Sequence, residues 1–196
     1  MSVVAPEKHF ADYAGRLSAL LATFDWAPVT ELAQELKDCW ITGRQVFLCG
    51  NGGSAGNAVH LANDFLYALS KKPGSGLRAH GLPANQSVIT CLANDEGYEK
   101  IYSLQLAVHA RKDDVLIAFS GSGNSPNIIE AIKEAKRLDM KSYAVLGYSG
   151  GIAKDLVDVP IHFAIDDMQI AEDAQTIVGH MIMQWLHAQR DEIPAR

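Results

Sequence analysis

Short apolar runs that stop abruptly at glycine- and serine-rich loops recur along this chain, and helix-period segments fill most of the intervals between them. Gln45-Val46-Phe47-Leu48-Cys49 runs into Gly50-Asn51-Gly52-Gly53-Ser54, and Val115-Leu116-Ile117-Ala118-Phe119 runs into Ser120-Gly121-Ser122-Gly123-Asn124-Ser125-Pro126. A strand with one wet face alternates apolar and polar residues, whereas an unbroken apolar run suits a strand covered on both faces. Further strand candidates lie at 77–82, 114–119, 142–146 and 161–165. Strands separated by helical segments cannot close as tight hairpins; they join through crossovers of one hand and lie parallel. The pattern predicts an α/β protein built on a doubly wound parallel sheet.

Two amphipathic helices precede the first strand. Phe10, Tyr13, Leu17, Leu20 and Leu21 recur at three- and four-residue spacing, and Val29, Leu32, Ala33, Leu36 and Trp40 repeat the pattern after a break at Pro28. Helical stretches at 55–69 and 127–138 fit between strands, and the turn-rich segment 70–76 is too short to separate domains. The last run, 170–187, carries Ile177, Met181, Met183, Trp185 and Leu186 around a helix with few charges, as burial against a partner subunit would require. With 196 residues, 48% of them hydrophobic, the chain can bury a core without disulfide or metal staples. The expectation is a single domain over 1–196, a helical N-terminal extension (1–44) followed by a sheet-and-helix unit (45–196).

Charge and cysteine usage narrow the function classes. Seventeen basic against 23 acidic residues give a formal charge of −6, and no Lys/Arg run exceeds Lys71-Lys72, so the footprint of a protein that tracks nucleic-acid backbones is missing. Cys39, Cys49 and Cys91 are odd in number and lack Cys-x-x-Cys spacing, which suggests neither a disulfide framework nor a thiolate zinc site and fits a reducing cytoplasm. The segment from Met1 to Asp12 has no apolar leader core, and no stretch approaches the roughly 20 apolar residues of a membrane span. A cytoplasmic protein with no membrane partner is expected.

The two glycine loops carry the chemistry. In open parallel sheets ligands collect beyond the carboxyl ends of strands, where helix N-termini aim unpaired N–H groups at them. Gly50–Ser54 allows close backbone approach and offers short hydrogen-bonding side chains; a simple strand-to-helix turn is the other reading. In the second loop three hydroxyls stand around two glycines, and Ser125-Pro126 suits the N-cap and first position of a helix, so hydroxyls and free amides converge on its positive end. There is no Gly-x-x-x-x-Gly-Lys-Ser/Thr, nor a Gly-x-Gly-x-x-Gly opening the first crossover helix, which leaves a monophosphate as the natural occupant. His60 and Asp64, four apart on a predicted helix, share one face; such a pair can offer a nitrogen and an oxygen to a divalent metal, orient an acid–base pair, or simply hydrogen-bond.

In order and spacing, Gly50-Asn51-Gly52-Gly53-Ser54, His60, Ala93-Asn94-Asp95 with Gly97-Tyr98, and Ser120-Gly121-Ser122-Gly123-Asn124-Ser125 closely resemble the sugar isomerase (SIS) domain proteins of the phosphoheptose isomerase group. The resemblance covers nearly the whole chain. It implies a five-stranded parallel sheet, a homotetramer, and conversion of sedoheptulose 7-phosphate to a heptose 7-phosphate on the route to surface polysaccharide. It also implies that Asn51, Gly52, Gly53 and Ser54 hold the sugar, that Asn94 and Asp95 add contacts to its hydroxyls, and that Ser120, Gly121, Ser122 and Ser125 bind the phosphate. Tyr98 is expected to pack rather than to act.

Members of the group commonly have Glu where Asp64 stands and Gln where Glu172 stands, and some bind zinc through the positions of His60, Asp64, Glu172 and His180. A divalent metal, zinc by this resemblance, is therefore expected on those four residues, with Asp64 and Glu172 also meeting substrate. Asp64 is one methylene shorter than Glu, and displacing a catalytic group by roughly an ångström can cost on the order of a hundredfold. Glu172 in place of Gln adds charge that would tighten a dication but would repel Asp64 in an empty site. Glu172 and His180 are also about 12 Å apart along a straight helix at about 1.5 Å per residue. Either Glu172 sits at a non-helical start, or different subunits supply the two residues, or only some of the four ligate.

The expected chemistry is aldose–ketose isomerisation, with Asp64 as the base at carbon and His180 exchanging protons with the oxygens. Some SIS proteins are instead tetrameric modules that bind the bacterial replication initiator, and a sensor or an isomerase for another phosphosugar is a third reading. Retention of both His60 and His180 favours the enzyme.

Overall fold

The computed structural model of the protein describes residues 5–193. Residues 1–4, which belong to the segment read above for a leader, and 194–196 lie outside the described residues. Five strands, β1 (Gln45–Cys49), β2 (Arg78–Gly81), β3 (Val115–Ser120), β4 (Lys141–Leu146) and β5 (Val159–His162), form one sheet in the order β2-β1-β3-β4-β5. All four pairings are parallel, with Cys49 level with Ala118 and Ala118 level with Ala144. The direction of winding reverses between β1 and β3, and a crevice opens at such a switch point. The two strands that run into glycine loops in the sequence are the two that flank it.

Helices cover both faces. Along β1, Val46 and Leu48 face one core cluster while Phe47 and Cys49 face the other, as the two-residue period of a strand demands. The first cluster packs α2 (Ala27–Thr42), α3 (Gly53–Asn63) and α8 (Met168–Ala188) on the sheet. The second packs α5 (Ser103–His109), α6 (Pro126–Arg137) and α7 (Gly151–Leu156). At Asp64–Ala68, directly after α3, the helix widens into one π-helical turn.

Several details depart from expectation. The final strand is Val159–His162, not 161–165; Pro160 is tolerated because β5 is an edge strand, where a missing N–H need not break the ladder. The helix α4 (Gln86–Asp95), with α5 and α7, is not distinguished by the sequence pattern; α5 and α7 are only seven and six residues long, and no residue of α4 is buried. The apolar stripe of α1 (Pro6–Thr23) also contains no buried residue, and Phe10 is 67% exposed. Its apolar docking is confined to its end, through Leu20 and Leu21 beside Phe24, while Tyr13 and Arg16 bond to Asp173 and Asp167. Among the described residues no helix is long and apolar enough to cross a membrane.

Candidate functional site

At the switch point the loops leaving β1 and β3 enclose a cavity of about 250 Å³. Asn51, Gly52, Gly53 and Ser54 form one wall, Ser120, Gly121, Ser122 and Ser125 the second, and Met168 and Glu172 of α8 the third. The N-caps of α3 and α6, Gly52 and Ser125, make no side-chain cap. The Ala55 and Ile128 amides bond to backbone carbonyls and Pro126 has no N–H, which leaves the amides of Gly53, Ser54 and Asn127 to face an anion. By contrast the Asp167 carboxylate caps α8, accepting from the amides of Gln169 and Ile170. Ser120 Oγ accepts the Gly123 amide at 3.0 Å and Ser122 Oγ the Asn124 amide at 3.3 Å, which leaves both hydroxyl hydrogens free to donate. Gly123 has φ +67°, and a Cβ there would strike the Gly150 carbonyl, so only glycine lets this loop fold back against α7.

The third wall introduces the opposite charge. The Glu172 carboxylate lies over Gly53, where a Cβ would collide with it. Glu172 is in the second turn of α8, so the expected alternative of a non-helical start does not hold. Its carboxylate shares the cavity with the hydroxyls and helix ends that favour an anion.

From this cavity α3 and α8 run side by side. Asn57 Nδ2 donates to the Glu172 carbonyl and to Gln175 Oε1, each at 3.0 Å, and Leu61 sits against the bare Cα of Gly179. One step further His60 meets His180, their Nε2 atoms 2.8 Å apart, with Asp64 Oδ2 at 3.5 Å from His60 and 3.6 Å from His180. Asp64 is the first residue of the π turn, a distortion that recurs at functional sites because it re-aims side chains.

These three side chains fit a divalent metal. Zinc takes nitrogen and oxygen ligands at about 2.1 Å, which in a tetrahedron places them about 3.4 Å from one another. The three contacts straddle that spacing, and the three donor atoms lie within 4.8 Å of each other. Glu172 does not belong to this group. Of the four positions considered in the sequence, one chain brings three together and leaves the fourth in the anion cavity, as the separation along a helix predicts.

Of the remaining candidates, Asn94 and Asp95 sit exposed at the end of α4, hydrogen-bonded to each other at 2.7 Å, outside the cavity wall. Tyr98 does not pack: it is 55% exposed, and its hydroxyl donates to Asn51 Oδ1 at 3.2 Å. Sequence reasoning passes over Asn127, whose buried amide pairs reciprocally with that of Asn51, and Met168, packed against Gly121. An asparagine in the first turn of α6, directly after the serine loop, is the available signal for the former; nothing local marks Met168.

The profile of the SIS domain family matches residues 9–147. A phosphoheptose isomerase of Clostridium acetobutylicum is 37% identical over 142 residues, 71% of each chain. One from Chlorobaculum parvum is 33% identical over 176 residues, 88% of this chain and 83% of that one. Among solved structures, phosphoheptose isomerase from Neisseria gonorrhoeae superposes with a TM-score of 0.84 at 27% identity, covering 93% of this chain and 96% of that chain. A phosphoheptose isomerase from Francisella tularensis shares the fold, with a TM-score of 0.87 at 24% identity over 94% and 100% of the two chains. A parallel sheet with its anion cavity at the switch point, a matching family profile and relatives above 30% identity over most of their length together place this chain in the SIS domain family, with the phosphoheptose isomerases.

Proposed function

We propose that the chain is a cytoplasmic aldose–ketose isomerase that converts sedoheptulose 7-phosphate to a heptose 7-phosphate for surface polysaccharide synthesis, acting as one SIS domain in a homo-oligomer, a tetramer by its resemblance. The observation that carries this reading is the arrangement along α3 and α8. Seven residues separate Gly53 from His60 and eight separate Glu172 from His180, so the imidazole–carboxylate cluster lies about 11 Å from the anion cavity along both helices. With C–C bonds of about 1.5 Å, an extended seven-carbon chain carrying a terminal phosphate covers a comparable distance. The phosphate then rests on Ser120, Ser122 and Ser125, and the reacting end reaches Asp64 and His180.

Isomerisation moves one hydrogen from C1 to C2 and one from the C1 hydroxyl to the C2 oxygen. Asp64 takes the proton from carbon and returns it to the neighbouring carbon through an enediol, and His180 passes the proton between the two oxygens. Positioned groups of this kind contribute about 10²–10⁴ each. His60, Asp64 and His180 would hold a divalent ion, zinc by the ligand types, which when bound supplies Lewis-acid polarisation of a carbonyl. Asn51 to Ser54 orient the sugar, and Glu172 accepts hydrogen bonds from its hydroxyls. Asn94 and Asp95 would join the sugar contacts after a movement of α4 or in the assembled oligomer. The unburied apolar stripe of α1 and the 45% exposed Met181 of α8 support an assembly of several copies.

The test is an NMR assay with sedoheptulose 7-phosphate and added zinc. Appearance of the aldose phosphate is expected; no conversion by folded protein overturns the reading.

A further inference from the structure

Asn51, which lines the cavity and orients the sugar in the proposed chemistry, is itself held by two side chains to which that chemistry gives no role. Asn51 Oδ1 accepts two hydrogen bonds, from Asn127 Nδ2 at 2.7 Å and from the Tyr98 hydroxyl at 3.2 Å, while Asn51 Nδ2 donates to Asn127 Oδ1 at 2.8 Å. A carbonyl oxygen has two lone pairs, and both are occupied; an amide nitrogen has two hydrogens, and one is spent. Asn127 is 1% exposed, so its amide cannot turn to water without leaving buried polar atoms unpaired. Asn127 belongs to the first turn of α6, Asn51 to the loop after β1 and Tyr98 to the short 3₁₀ turn Tyr98–Lys100 after Gly97, so the three side chains tie together three segments around one cavity.

We propose that Tyr98 and Asn127 are positioning residues that fix the Asn51 amide with its oxygen saturated, so that Asn51 offers the cavity a single N–H and recognises an acceptor oxygen of the sugar. Left free, an asparagine amide presents donor and acceptor alike and can rotate between them. Locked, it selects for an acceptor and rejects a lone donor. We assign the oxygen to the sugar because Asn51 precedes α3, which leads toward His60 and Asp64, while its pairing with Asn127, two residues past Ser125, puts its amide where the sugar would leave the serine loop. The proposal rests on the phosphosugar reading above.

Tyr98→Phe tests it without disturbing the core, since the ring is already more than half exposed. Wild-type protein is assayed first with sedoheptulose 7-phosphate; failure there removes the isomerase reading rather than this one. Given wild-type turnover, Tyr98→Phe should raise KM about three- to tenfold, the scale of one hydrogen bond, with kcat within about twofold. Competitive inhibition by inorganic phosphate should be unchanged, because the serine loop is untouched. Asn127→Asp, which cannot donate to Asn51 Oδ1, should raise KM further with the same selectivity if it folds. An unchanged KM in Tyr98→Phe overturns the proposal. So does a loss of phosphate inhibition in proportion to KM, since that marks general loosening of the cavity.

Discussion

The Nε2 atoms of His60 and His180 stand 2.8 Å apart where α3 passes α8, and Asp64 Oδ2 closes the triangle. At that separation only one of the two nitrogens can carry a hydrogen toward the other, and a cation between them would satisfy both lone pairs at once. Purified wild-type protein should therefore retain a divalent metal that His60→Ala does not, measured by elemental analysis. His180→Ala should also lose isomerase activity by about 10²–10⁴. Equal metal content in wild type and both variants would refute the assignment.

Glu172 should behave differently from these three residues. Its carboxylate shares the cavity with the hydroxyls of Ser120, Ser122 and Ser125, where the phosphate is proposed to sit, and like charges a few ångströms apart in a partly wet site repel by about 1 kcal/mol or more. Glu172→Gln should tighten binding of inorganic phosphate about fivefold, read by calorimetry, and leave the bound metal unchanged. Loss of metal in this variant would show instead that Glu172 swings over to complete the metal site.

How much of this the sequence disclosed follows from the range of the interactions concerned. Strands β1 and β3 and their loops are legible because an apolar run ending in glycine or serine is a local signal, and the helix N-cap at Ser125 needs only its neighbours. The resemblance supplies the four metal candidates, and helix geometry alone warns that Glu172 and His180 could not easily meet. The Asn51–Asn127 pair joins residues 76 apart, so no local pattern could announce it. Tyr98 escapes the sequence for a related reason: an aromatic side chain is usually packed, and only the folded chain shows its hydroxyl reaching Asn51. Likewise α1 shows a helical apolar period, yet that period does not reveal what the stripe faces.

Gly179 permits the approach of α3 to α8 that brings His60 to His180. A Cβ at this position would meet three carbons of the Leu61 side chain within 3 Å, and Leu61 is fully buried and cannot give way. Alanine gains about 1 kcal/mol in helix propensity over glycine, but overpacking a tight core costs about 1–3 kcal/mol. Gly179→Ala should on balance destabilise by about 1 kcal/mol in urea unfolding and weaken metal retention, because it pushes the two imidazoles apart. Adding Leu61→Ala should restore some of the metal retention while stability falls further from the lost side chain. Unaltered metal retention in Gly179→Ala would separate helix spacing from the site.

The outer end of α1 is held chiefly by polar bonds, which makes it sensitive to acid. Arg16 Nη1 pairs with Asp167 Oδ2 at 2.7 Å, and the Tyr13 hydroxyl donates to Asp173 at 2.7 Å, both at the start of α8. The Arg16 hydrogen bond, followed by the Ile170 amide, holds the Asp167 carboxyl below the usual carboxylate range. A carboxylate depressed in the folded state contributes stability above its unfolded pKa and loses it as pH falls through the folded value, so the contribution persists at neutral pH and disappears below about pH 4. Hydrogen exchange of 6–19 should accordingly accelerate as pH drops from 5 to 3, after correction for intrinsic exchange, while amides of β3 stay protected. Arg16→Met should show the faster exchange already at pH 7, with little further change on acidification. If the wild-type and Arg16→Met profiles coincide at pH 7, the docking of Leu20 and Leu21 and the Tyr13 bond to Asp173 secure the helix without it, and the bridge to Asp167 contributes nothing measurable.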